Sequence, residues 1–194
     1  MPRRDPVFTP ELIRILKIFI FSAIGLALIL SFFNEYRANN SGEDRTFRVD
    51  DANRLYFLNV RSIYYDREIR RDAGMTLFRH GKRFQSDSLP TLDLVILLNP
   101  AKDDAYVYFD LKNAEWPIQI RAKAGGKDQI FEFSNGNNSD HFSFLKKLKP
   151  AIDQNTDFEL IVGGKSFALW SEEKEKQAVK SVIEDYFRLL GQTN

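Results

Sequence analysis

The sequence predicts an α+β protein: an N-terminal transmembrane helix, then a domain built on a mainly antiparallel sheet of about seven to nine strands, with two helices of its C-terminal half packed on it. Three observations predict this. No charge falls between Lys17 and Glu35. Two Gly-Gly pairs each stand between short runs of alternating apolar residues. Two later stretches carry apolar residues at helical spacing, and each begins with a residue suited to capping.

Residues 1–9 form a short N-terminal tail, and 10–33 the expected transmembrane signal-anchor helix. Thr9 suits the N-cap, Pro10 the first helical position, and Glu11 the positive end of the helix. The run that follows is apolar all round, whereas a core helix keeps one polar face. A cleaved signal peptide needs small residues after its apolar core. Here the bulky Phe32 and Phe33 follow. Arg3, Arg4, Arg14 and Lys17 precede the run, and Arg37, Arg45 and Arg48 follow it. This excess predicts a cytoplasmic N-terminus and a large domain outside the cytoplasm. Residues 34–46, polar and carrying Ser41-Gly42, read as a tether to a globular domain over 47–194.

Within the domain, strands are expected at 54–64, 75–79, 82–85, 92–98 and 105–111, with a turn at His80-Gly81. The segment 92–98 is apolar at nearly every position, which predicts a central strand covered on both faces. Gly125-Gly126 fits a two-residue hairpin turn, because glycine tolerates the positive φ such turns require. That register sets Ile118 against Phe133, Ile120 against Phe131, Ala124 against Lys127 and Lys123 against Asp128. Gly163-Gly164 repeats the device, pairing Leu160 with Phe167 and Phe158 with Leu169. Ser139 is the expected cap of a helix stopped by Pro150. Ser171 is the expected cap of a second helix with the stripe Ala178, Val179, Val182, Ile183, Tyr186, Leu189 and Leu190, and Gly191 stands just past its end.

Several chemistries lack their signatures. The chain holds 28 basic and 27 acidic residues, so no net positive field marks a nucleic-acid binder. It has no cysteine, which excludes disulfides and thiol chemistry. The two histidines, His80 and His141, stand apart with no ligand spacing, so no metal or cofactor is expected. Residues 162–166, VGGKS, resemble the end of a phosphate-binding loop, but Glu159 stands where the motif needs glycine and a strand follows the lysine. Residues 143–146, SFLK, match Ser-x-x-Lys without its companion motifs. No catalytic residue is assigned.

The segment 45–72 interleaves seven arginines with aromatic residues. Arginine and tyrosine are favoured at interfaces, so Arg61, Tyr64, Tyr65, Arg67, Arg70 and Arg71 are the candidate partner-binding face. The reading that follows is a single-pass protein in a lipid bilayer whose extracytoplasmic domain binds a protein partner as an accessory subunit of an envelope complex. The alternatives are a tethered hydrolase with a site assembled from distant residues, and a scaffold facing the cytoplasm.

Overall fold

The computed structural model describes residues 9–32, 46–124 and 127–192. The chain divides into two compact units, Met1–Glu43 and Asp44–Asn194.

The first unit contains helix α1 (Pro10–Phe32). Its start is capped as the sequence predicts: the Leu12 amide donates to the Thr9 hydroxyl at 3.2 Å. Leu12, Ile15, Phe19, Phe21, Leu26 and Leu28 are all exposed. The expectation of a transmembrane span over 10–33 needs correction: among the described residues, no helix is long and apolar enough to cross a membrane. Glu11, Arg14 and Lys17 occupy its first two turns. The uncharged remainder, 18–32, rises about 22 Å, short of a hydrocarbon core of about 30 Å. Phe33 and the tether up to residue 45 lie outside the described residues.

The second unit begins with helix α2 (Asp51–Tyr56), which widens into a π-helical turn (Phe57–Arg61) and ends in a 3-10 turn (Ser62–Tyr64). Strands β1 (Tyr65–Arg70), β2 (Met75–His80), β3 (Thr91–Asn99) and β4 (Asp104–Lys112) follow as an antiparallel meander in the order β1-β2-β3-β4. A second four-stranded antiparallel sheet contains β5 (Ile118–Ala124), β6 (Lys127–Phe133), β7 (Asp157–Val162) and β8 (Lys165–Leu169), in the order β6-β5-β7-β8. Helix α3 (Asn138–Asp153) lies between β6 and β7 in the chain, and α4 (Glu173–Leu189) closes it. The fold is α+β with two sheets where the sequence predicted one. The chain leaves the first sheet at Asn113, whose φ of 56° turns the backbone, and Pro117 offers no amide hydrogen to extend β4's ladder into β5.

Both hairpin registers are as the sequence sets them. Ile118 faces Phe133, Ile120 faces Phe131 and Lys123 faces Asp128; Phe158 faces Leu169 and Leu160 faces Phe167. Gly163 and Gly164 turn at φ of 55° and 78°, the left-handed pair this tight hairpin requires. Gly125-Gly126 lies outside the described residues. Strand β3 is buried along nearly its whole length and sits inside the first sheet, as its apolar run predicts.

Two expected strands do not form. The stretch 54–64 is helical: Asp51 sits in the first turn and binds Arg54 one turn on, at 2.8 Å. The segment 82–85 is a loop, because Arg83 turns back to bond Asp66 at 2.5 Å and the His80 carbonyl at 3.0 Å. The caps also shift. Asn137, not Ser139, caps α3 and completes a capping box with Asp140, and Pro150 lies inside that helix. Glu172, not Ser171, caps α4, with Glu175 completing the box.

One core joins the sheets and helices of this unit. Helix α3 packs on β4 and α4, and α4 packs across β2, β3 and β4. Phe133 of β6 stacks on Phe144 of α3 with ring centres 4.4 Å apart and meets Phe109 of β4 at 6.0 Å. The Trp170 indole, just past β8, donates to the Leu92 carbonyl of β3 at 3.0 Å. The predicted stripe of α4 is buried from Ala178 to Leu189. The chain past it turns at Gly191 (φ 67°), whose amide donates to the Arg188 carbonyl at 2.9 Å.

Candidate functional site

The segment from Asp51 to Arg71 has two faces with different chemistry. Its inner face packs. Phe57 is buried against Tyr65 and Phe78, with ring centres 5.5 and 5.1 Å away. Arg61, at the end of the π turn, reaches Asp185 of α4: its Nε donates to the carboxylate oxygens at 2.8 and 3.1 Å. The Tyr65 hydroxyl donates to the same carboxylate at 2.7 Å. Asp185 is only 5% exposed, and its buried carboxylate is neutralised by the Arg61 guanidinium and hydrogen-bonded by the Tyr65 phenol. Burial, then the Asp185 charge, pushes the Tyr65 phenol well above its ordinary range. The hydrogen bond to Asp185 raises the Arg61 guanidinium further.

The outer face has no cover among the described residues of this unit. Tyr56, Val60, Ile63 and Tyr64 follow one another along these helical turns and all four are exposed, Ile63 to 74%, as is Leu58. Leu55 lies beside them, and Ile69 of β1 is exposed as well. The two tyrosines are held by cations: Arg188 lies 4.8 Å over the Tyr56 ring and Arg61 5.0 Å over Tyr64. Strand β1 is an edge of its sheet.

The six residues singled out from the sequence divide between the faces. Tyr64, Arg67, Arg70 and Arg71 are exposed. Arg70 is occupied by Asp72 at 3.1 Å and Glu68 at 3.7 Å. Tyr65 belongs to the core, and Arg61 spends its guanidinium on Asp185. Leu55, Tyr56, Val60 and Ile63 were missed, because 54–64, rich in aromatic and β-branched residues, read as a strand. Their helical spacing was the available signal.

Both histidines make contacts within the fold. His141 is buried in α3; its Nδ1 accepts from the Phe109 amide at 3.1 Å, and its Nε2 meets the Asn135 side-chain oxygen at 3.0 Å. His80 accepts from the Lys82 amide at 3.2 Å and packs edge-on to Tyr65. It shares a crevice with Arg83, Asp93 and Glu175, but that crevice encloses only about 10 Å³, room for one water at most. Among the described residues no group of three or more candidate ligands could hold a metal ion.

Two buried groups give the unit a pH response of known sign. Burial pushes His141 down to about 4, against about 6.5 in an unfolded chain. Between those values the unfolded chain binds the extra proton, so this contribution is whole above about pH 6.5 and is lost as pH falls toward 4. Burial pushes Asp93 up to about 6, which acts oppositely: its folded form takes the proton first, so acidification through that range restores stability. In urea melts across this window, His141→Gln is expected to flatten the loss of stability on acidification, and Asp93→Asn to steepen it. Unchanged slopes in both variants would contradict these assignments.

No protein-family model matches the chain, and neither a curated protein nor a solved structure does.

Proposed function

We propose that the protein is held at a membrane by α1 and binds a protein partner through the outer face of the segment from Leu55 to Arg71, as an accessory subunit of a membrane-bound assembly, with the folded unit outside the cytoplasm. The observation that carries the binding reading is the exposed helical stripe of Tyr56, Val60, Ile63 and Tyr64. Isolated exposed apolar residues are ordinary, but a stripe of them beside tyrosines and arginines has the composition of an interface core. The membrane reading is supported by α1, whose apolar side chains from Leu12 to Leu28 are exposed. Arg14 and Lys17 are long enough to reach headgroups while their stems stay in the apolar layer. The uncharged run continues in the sequence through Asn34, past the described residues, and the basic residues before it favour an N-terminus inside and the folded unit outside.

Three measurements test this. Full-length protein is expected in the membrane fraction after carbonate or high-salt washing, and a chain beginning at Asn40 in the soluble fraction. Recovery of full-length protein in the soluble fraction at its full mass contradicts the anchor. On native gels of detergent extracts, the protein is expected in a species larger than its own mass, and Ile63→Asp should shift it to smaller size. A reporter active only outside the cytoplasm, fused after Asn194, should be active; activity of a cytoplasm-only reporter there would favour the scaffold reading.

A further inference from the structure

A second site lies away from the exposed stripe, where the loop after β2 and the start of β3 meet the end of β8 and the first turn of α4. A cavity of about 180 Å³ opens there. Phe84, Leu89, Phe167 and Trp170 supply apolar walls. Asp93, Glu172 and Glu175 border the cavity, and no lysine or arginine lines it among the described residues. Three carboxylates against apolar walls make a surface that favours a cation over an anion.

The buried Asp93 carboxylate sets this apart from a solvated acidic cluster. Its side chain is 7% exposed and accepts no hydrogen bond among the described residues. The nearest cationic atom, Arg83 Nε, is 3.7 Å away, beyond hydrogen-bond reach, and is itself buried without an acceptor. Arg83 cannot close that gap cheaply, because Asp66 and the His80 carbonyl hold the other end of its guanidinium. Glu175, by contrast, already accepts from the Glu172 amide at 3.2 Å, and Glu172 pairs with Lys174 at 2.8 Å. Asp93, ion-paired with Arg83 but beyond hydrogen-bond reach of it, therefore keeps acceptor capacity for a donor that enters the cavity.

We propose that this cavity binds a small organic ammonium ion, with its charged nitrogen donating to Asp93 and its apolar body against Phe84 and Trp170. The cavity suits a ligand of a few heavy atoms with one charged end, since Phe84, Leu89, Phe167 and Trp170 line it and Asp93 stands at its β3 side. Aromatic faces reinforce the preference, because a ring's negative face attracts a cation. The site is independent of the partner-binding stripe, and its occupancy does not depend on that reading.

The test compares two probes of nearly equal shape, benzylamine and benzyl alcohol, by calorimetric titration into full-length protein in detergent at neutral pH, with empty micelles as the blank. Benzylamine is expected to bind at least about tenfold more tightly than the alcohol. Asp93→Asn should abolish that preference, and Phe84→Ala should weaken both probes. Equal affinities in the unsubstituted protein, or no saturable binding of the amine, would overturn the proposal, and so would a preference that survives Asp93→Asn. The first comparison needs no variant to fold.

Discussion

Replacing Leu160 with alanine is expected to cost the second unit about 2–5 kcal/mol of stability. Leu160 is completely buried. It sits on β7, an inner strand of its sheet, and faces Ile120 of β5 on one side and Phe167 of β8 on the other. With neighbours fixed on both sides by backbone pairing, the space left by the lost methyl groups cannot collapse, so the cavity cost adds to the lost burial. Glu159, one residue earlier, points to the other face and bonds Lys123, Arg121 and the Ser166 hydroxyl near water. Glu159→Ala should have the smaller effect by a wide margin. Urea melts of a chain beginning at Asn40 would measure both, and equal effects would contradict the register.

Asp185→Ala is the second large effect, expected at about 3 kcal/mol, the low end for breaking a buried ion pair. The cost falls at that end because the Arg61 side chain is 25% exposed and can recover some hydration. The loss leaves the buried Tyr65 hydroxyl without its acceptor and the end of the π turn without its tie to α4. Replacing both partners with apolar residues, Asp185→Leu with Arg61→Met, should recover part of the loss, since an unpaired buried ion is costlier than none. If Asp185→Ala proves nearly neutral in the same melts, the network is not holding α2 and the π turn to α4.

Local chemistry made some of this fold legible. Both Gly-Gly registers follow from turn geometry plus the pleat, and those pairings hold residue for residue. The stripe of α4 was legible because seventeen residues of one period outweigh local ambiguity. What depends on long-range packing was not. Nothing local announces that Arg61 and Asp185, 124 positions apart, will meet. The segment 54–64 misled because Tyr56, Val60, Ile63 and Tyr64 favour strands by composition, while their spacing is helical. The arginines of the candidate face were visible in the sequence; its apolar centre emerged only once that segment was seen to be a helix. Asp93, read only as part of an apolar strand, gains its interest from burial beside Arg83.

The central claim, that the outer face of this helical segment contacts a protein partner, is tested most directly by a photo-crosslinking residue placed at Ile63 in the full-length protein in its native membranes. Ile130 of β6 is the control, since it is also apolar and exposed but lies on the second sheet. The account predicts a discrete protein adduct of higher mass from Ile63 and none from Ile130. No protein adduct from Ile63, or the same adducts from both positions, would contradict it.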